Sequence, residues 1–172
     1  ANALTRHGWE ARRFDRATDT LPEAAMGVDL IVNAWNPPYS QWAQLVPGLT
    51  RQVIDAAKAS GAAVLIPGNL YVYGEDLPPV LSPETPHVSA HHLGLIRREM
   101  EAAYRDAGVK TINLRAGDYI DIEASGNWFD RIIAAKAGEG KFTYPGPLDQ
   151  PHAWAYLPDV AEAGAQLLAR MD

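Results

Sequence analysis

Short strand-like stretches at residues 28–34, 62–66 and 109–114 alternate with longer amphipathic stretches, and this alternation constrains the fold more than any other feature. The first is an apolar run typical of a buried parallel strand, the second is short and apolar, and the third supplies another strand. Residues 47–60 put Leu49, Val53, Ile54 and Ala57 on one helical face and stop at Gly61. Ser89, a good N-cap, opens a second helix that reaches Ala107 and closes at Gly108. Residues 1–8 read as the closing turns of a helix, 9–14 as a strand, 127–137 as a helix, and about 158–171 as a final helix with Pro158 in its first turn. The Pro-rich run 77–86 is a surface loop. This order calls for a mostly parallel sheet with helices on both faces and a ligand crevice at the carboxyl ends of the strands.

Composition narrows the function classes. The 172 residues carry a formal net charge of -6, with 15 basic residues scattered among 21 acidic ones, which argues against nucleic acid as the partner. The chain has no cysteine, so a disulfide scaffold, thiolate-held zinc or iron–sulfur, and a cysteine nucleophile are all excluded. No apolar stretch has the length of a membrane span and the first residues do not resemble a secretory signal, so the expected compartment is the cytoplasm. His91 and His92 are consecutive, point to different helix faces and have no i, i+4 partner, so no metal site is expected.

The strand ends hold the residues of interest. Asp15-Arg16 follows the strand expected at 9–14; a carboxylate there can bind the vicinal hydroxyls of an adenosine ribose and the arginine a 2′-phosphate, or the pair is a solvated turn. The next ends are Asn33-Ala34-Trp35-Asn36, then Pro67-Gly68-Asn69-Leu70-Tyr71-Val72-Tyr73-Gly74, then Leu114-Arg115-Ala116-Gly117-Asp118-Tyr119. Of the titratable groups near these ends, Asp118 and Tyr119 are the foremost candidates, ahead of Tyr71, Tyr73, His91 and His92. Five tryptophans are many for this length; Trp35 and Trp128 lie at or near the crevice loops, and the rest read as packing.

In order and spacing these segments resemble the extended and atypical short-chain dehydrogenase/reductase superfamily, the NAD-dependent epimerase/dehydratase branch, from about Gly8 to Asp172. The resemblance implies a Rossmann-like, doubly wound parallel sheet: one NAD(P)-binding domain over 1–172 that includes part of a small C-terminal substrate lobe at about 117–156. It implies NAD as cofactor, with NADP left open by Arg16. Asp15, Arg16, Ala34, Trp35, Asn36, Asn69 and Arg97 would bind the cofactor, and a small molecule such as a nucleotide sugar would be the substrate. It also implies a homodimer formed through the helices at 47–60 and 89–107. Asn69 stands where the family places its Ser or Thr.

The departures concern chemistry. The family's Tyr-x-x-x-Lys pair falls on Leu93 and Arg97: leucine has no ionisable group, and arginine stays protonated while still able to donate to ribose hydroxyls. Leu93 also lies on a helical stripe with Ile96, Met100 and Tyr104, which suits a core position. Two readings follow, an epimerase/dehydratase-like oxidoreductase with a degenerate site, in which Asn69, Asp118 and Tyr119 are the candidate catalytic residues, or a non-catalytic dinucleotide-binding sensor or interaction protein. The glycine-rich loop that holds pyrophosphate at a helix N-terminus is absent from the sequence. In the resemblance that loop and the central first strand precede Ala1, and further lobe residues follow Asp172. Sequencing the whole gene, or intact mass of the native protein, is expected to find these residues; a native chain beginning at Ala1 would refute the expectation.

Overall fold

The computed structural model describes residues 1–170, which divide into two compact units, residues 14–115 and residues 1–13 with 116–170. In the first unit, β1 (Leu30–Val32), β2 (Ala63–Gly68) and β3 (Thr111–Arg115) form a parallel sheet in the order β1-β2-β3. Leu30 faces Ala63 across the first pair, and Val64 faces Thr111 across the second. Connections between parallel strands must cross over, and here they use the helices α3 (Trp42–Ser60) and α4 (His92–Asp106). A short α2 (Leu21–Ala24) precedes β1.

Val64 and Ile66 project from the same face of β2 into a core with Trp42, Val46, Val53, Ile54 and Ala57 of α3 and Ile96, Met100 and Tyr104 of α4. Leu93 packs against the same cluster, so the stripe Leu93-Ile96-Met100-Tyr104 is the buried face of α4. The α3 helix begins at Trp42, five residues before the expected Pro47 start, because Trp42 is fully buried and its Nε1 donates to the Pro37 carbonyl at 2.8 Å. That burial outweighs the backbone hydrogen bond that Pro47 cannot donate. Gly61, in the left-handed region at φ 78°, ends the helix as its position in the sequence implies.

Strand β2 runs two residues past the expected Ile66, through Pro67. Ladder donors alternate along it, Ala63 N toward Asp29 and Val64 N toward Lys110. Position 67 therefore faces the β1 side beyond Val32, the last β1 residue, where no donor is needed.

Three expectations are corrected. Residues 9–14 form no strand: among the described residues no neighbouring strand offers them a ladder, and an extended segment without one is not a strand. Helix α4 starts at His92 with His91 as N-cap, not at Ser89. Ser89 is instead buried, its N–H donating to the Val72 carbonyl and its carbonyl accepting from Arg98 Nη1. The helix expected at 127–137 shrinks to a single wide turn, Phe129–Ile133, after which Thr143 N donates to the Ile133 carbonyl.

In the second unit, α1 (Asn2–Arg6) is held to α5 (Leu157–Leu168) where Arg6 Nη2, at 3.0 Å, and His7 both meet the Glu162 carboxylate. These donors, His7 first, draw the Glu162 pKa down from 4.5 to about 2. A second parallel pair, β4 (Asp118–Ile120) with β5 (Trp154–Tyr156), completes the unit. The final helix ends at Leu168; Met171, which the sequence places in it, lies outside the described residues. No described helix is long and apolar enough to cross a membrane.

At Gly94 the α4 backbone packs tightly against the loop after β2. An added Cβ would lie 2.0 Å from Ser89 Oγ and 2.5 Å from the Tyr71 carbonyl oxygen, and the backbone atom cannot rotate away. Gly94→Ala is therefore expected to destabilise the fold by about 2–3 kcal/mol in urea denaturation. Removing the hydroxyl as well, in Gly94→Ala with Ser89→Ala, should restore only part of that loss.

Candidate functional site

Parallel pairing brings the carboxyl ends of β1, β2 and β3 into one row on the first unit. Asn33 continues β1, donating its N–H to the Leu65 carbonyl. Its Oδ1 accepts from Trp35 N at 3.2 Å, and its Nδ2 donates to the Tyr104 hydroxyl at 3.0 Å. Burial pushes the Tyr104 phenol up to about 12, so it remains a neutral hydrogen-bonding group. This anchor fixes the turn that presents Trp35 and Asn36.

Trp35 and Asn36 line a cavity of about 160 Å³ together with Arg16, Pro37, Leu45 and Leu49. The Arg16 guanidinium lies 4.8 Å from the Trp35 ring centroid and Phe14 packs at 5.9 Å from the same ring. Three of the residues expected to bind a cofactor, Arg16, Trp35 and Asn36, thus line one cavity. Ala34 is exposed on the same turn. Asp15 is an exposed turn residue: its Oδ1 accepts from Ala17 N, and its own N–H donates to Asp19 Oδ2. Leu45 and Leu49 are the wall residues that reading the sequence did not connect with this loop. They arrive from α3, so only the crossover brings them there.

Arg97 reaches this region from α4. Its Nη2 donates to Asn36 Oδ1 at 3.0 Å, its guanidinium lies 4.1 Å from the Trp42 ring centroid, and its Nε is buried with no partner among the described residues. Burial lowers its pKa, although an arginine stays charged at any working pH. Asn69 is committed to its own turn, Oδ1 accepting from Tyr71 N at 3.1 Å, while its carbonyl accepts from Arg115. The Tyr71 hydroxyl lies 3.3 Å from that of Tyr39.

At the end of β3, Arg115 forms a two-pronged ion pair with Glu101 of α4, at 2.9 and 2.7 Å, and both side chains are largely buried. Burial opposes the Arg115 charge, but the Glu101 carboxylate outweighs it and the arginine pKa rises. His87 Nε2 lies 3.1 Å from Arg115 Nη2. A guanidinium only donates, so this nitrogen is an unprotonated acceptor, an assignment made from the hydrogen-bond pattern. Desolvation, then Arg115, lowers the His87 pKa, against the opposing pull of Glu101.

Asp118 and Tyr119 belong to the second unit, on β4. Gly117 there faces the Ala153 carbonyl oxygen so closely that a Cβ would lie 2.1 Å from it, and Asp118 N donates to the same oxygen at 3.0 Å. Asp118 Oδ2 lies 2.8 Å from His152 Nε2, and His152 Nδ1 lies 2.8 Å from the Tyr144 hydroxyl. Tyr119, the alternate residue on the strand, has a buried hydroxyl without a partner among the described residues, and burial raises its pKa. Sequence reasoning missed His152 and Tyr144, which lie 34 and 26 positions after Asp118 with no motif joining them.

No protein-family model and no curated protein matches the chain. Solved structures do. UDP-glucuronic acid 4-epimerase from Bacillus cereus is similar at 15% identity with a TM-score of 0.73, over 94% of this chain and 56% of its own. A dTDP-glucose 4,6-dehydratase from Streptomyces venezuelae matches at 17% identity and TM-score 0.67, over 87% and 51%. L-threonine dehydrogenase from Phytophthora infestans matches at 21% and 0.61, over 83% and 52%. At such identities the likeness is one of fold: the chain has the Rossmann-like α/β architecture of these enzymes and spans about half their length.

The Arg115–Glu101 pair gives this region its own test. Glu101→Ala leaves the guanidinium largely buried without its counter-charge and is expected to cost about 3 kcal/mol in denaturant unfolding. Replacing both residues by hydrocarbon, Glu101→Leu with Arg115→Met, should lose clearly less.

Proposed function

We propose that this chain is the dinucleotide-binding part of an NAD-dependent oxidoreductase of the nucleotide-sugar epimerase/dehydratase type, with residues at about 117–156 contributing to a small substrate lobe. The observation that carries the reading is the cavity at the end of β1, where Arg16, Trp35 and Asn36 meet Leu45 and Leu49. Its indole and leucine walls suit the faces of an adenine ring, and Asn36 offers a polar edge. Asp15 would take the ribose hydroxyls, which favours NAD, whereas Arg16 beside it would accommodate a 2′-phosphate. Arg97 would donate to the second ribose, exchanging its bond to Asn36 for one to the cofactor. The solved structures of similar fold support the cofactor, because the dehydratase above was solved with NAD bound and another Bacillus cereus UDP-glucuronic acid 4-epimerase structure is an NAD complex.

Bound NAD supplies a hydride acceptor. The chain's own residues then have to hold the cofactor, orient a carbinol and move its proton, and Leu93 does none of these: it packs against the core beneath α4. That packing favours a second reading, a dinucleotide-binding sensor without turnover. Calorimetric titration with NAD and NADP tests the shared premise. Trp35→Ala is expected to weaken NAD binding about tenfold, roughly 1.4 kcal/mol, and Asp15→Ala to erode the preference for NAD over NADP. Absence of NAD binding, or binding indifferent to Trp35→Ala, would overturn the proposal. Formation of NADH with any member of a nucleotide-sugar panel separates the enzyme from the sensor.

A further inference from the structure

In the second unit, Asp118, His152 and Tyr144 form a continuous hydrogen-bonded chain, each link 2.8 Å long. A carboxylate only accepts, so His152 Nε2 carries the shared hydrogen; when the ring is neutral its other nitrogen accepts from the Tyr144 hydroxyl, an assignment made from the hydrogen-bond pattern. The ring is held in this orientation by its surroundings. Trp128 stacks parallel to it, at 5° and 6.3 Å, Trp154 lies 4.3 Å away at 32°, and the Tyr144 ring meets it edge-on at 5.6 Å. The backbone supports the other end, because β4 and β5 pair Asp118 directly with Trp154, two residues after His152. All of this lies in a partly solvent-accessible place, with the His152 side chain 26% and that of Asp118 40% exposed.

A carboxylate that orients an imidazole, which in turn accepts from a hydroxyl, is the arrangement that readies a hydroxyl to lose its proton. We propose that Asp118, His152 and Tyr144 form a proton relay whose working end is the Tyr144 hydroxyl, an acid–base group that exchanges a proton with a hydroxyl or carbonyl oxygen of a bound ligand. His152 is the base behind it, and Asp118 is a positioning residue that acts through His152. The proposal concerns a different unit from the adenine cavity and does not depend on NAD binding.

The test is acetylation by N-acetylimidazole, read residue by residue by peptide mass spectrometry on the whole protein. The phenol oxygen bonds to the acetyl carbon, its proton passes to His152 Nδ1, and the carbon–nitrogen bond breaks to release imidazole, which takes up that proton. Tyr39 and Tyr156 are the internal references: at 49% and 44% exposed they are more accessible than half-buried Tyr144, so access alone predicts that they react faster. The relay predicts the reverse, with Tyr144 acetylated about tenfold faster than either. His152→Gln keeps an acceptor oxygen for the Tyr144 hydroxyl but takes no proton, and should bring Tyr144 down to the reference rate. Asp118→Asn should slow it by a smaller factor. The Tyr156 rate, in the same unit, should stay constant in both variants and so reports that this unit is folded. Tyr144 reacting no faster than the references, or keeping its rate in folded His152→Gln, would overturn the relay; if His152→Gln changes the Tyr156 rate, the wild-type ratio and Asp118→Asn decide instead.

Discussion

The parallel pairing of β2 with a strand on either side is the constraint from which the first unit follows. Because its neighbours run in its own direction, the chain has to return along the sheet each time, and α3 and α4 are those returns. Their apolar stripes close over Val64 and Ile66, and the same geometry delivers three strand ends to one side. The loops leaving those ends have lost their ladder partners. Their polar groups are satisfied by side chains instead, Asn33 holding Trp35 N and Asn69 holding Tyr71 N. A row of turns fixed by asparagines is thus a direct product of how the sheet ends.

Two arginines at this edge show how partners decide a cation's role. Arg115 faces a buried carboxylate in two-pronged geometry, which suits holding β3 to α4 more than meeting a ligand. Among the described residues Arg97 meets an amide oxygen, a thioether and an indole face, and its Nε has no hydrogen-bond partner there. A guanidinium so poorly compensated gains more from an incoming acceptor than Arg115 does, which is why it belongs to the proposed cofactor site and Arg115 to the scaffold.

Much of the scaffold was legible in the sequence. The stretches around β1, β2 and β3 are parallel strands, although only β2 is buried and β1 and β3 stay part-exposed; Gly61 ends α3, and the Leu93 stripe is the inner face of α4, because burial on one face leaves a period in the residues. The errors share a cause. Residues 9–14 have strand-like character but no neighbour to pair with, Ser89 has the chemistry of a cap but lies buried against Gly94, and Trp42 extends α3 across Pro47 by being buried. In each case the tertiary setting, a missing ladder partner for residues 9–14 and burial for Ser89 and Trp42, overrode a local preference. The candidate site divides in the same way: Arg16, Trp35 and Asn36 share one cavity, whereas Asp15 is tied into its own turn.

By itself the sequence determined the α/β class, the helix faces, a leucine without a titratable group at position 93 and the residues at the ends of β1, β2 and β3. These are properties of residue type and spacing, written along one dimension. Only the tertiary structure decided which of those residues share a surface. Leu45 and Leu49 complete the cavity begun by Trp35, and His152 and Tyr144 turn Asp118 from a lone carboxylate into the end of a hydrogen-bonded chain. Such groupings depend on crossovers and strand pairing that bring together positions tens of residues apart, and hydrogen bonds acting over about 3 Å leave no periodic trace in the sequence between them.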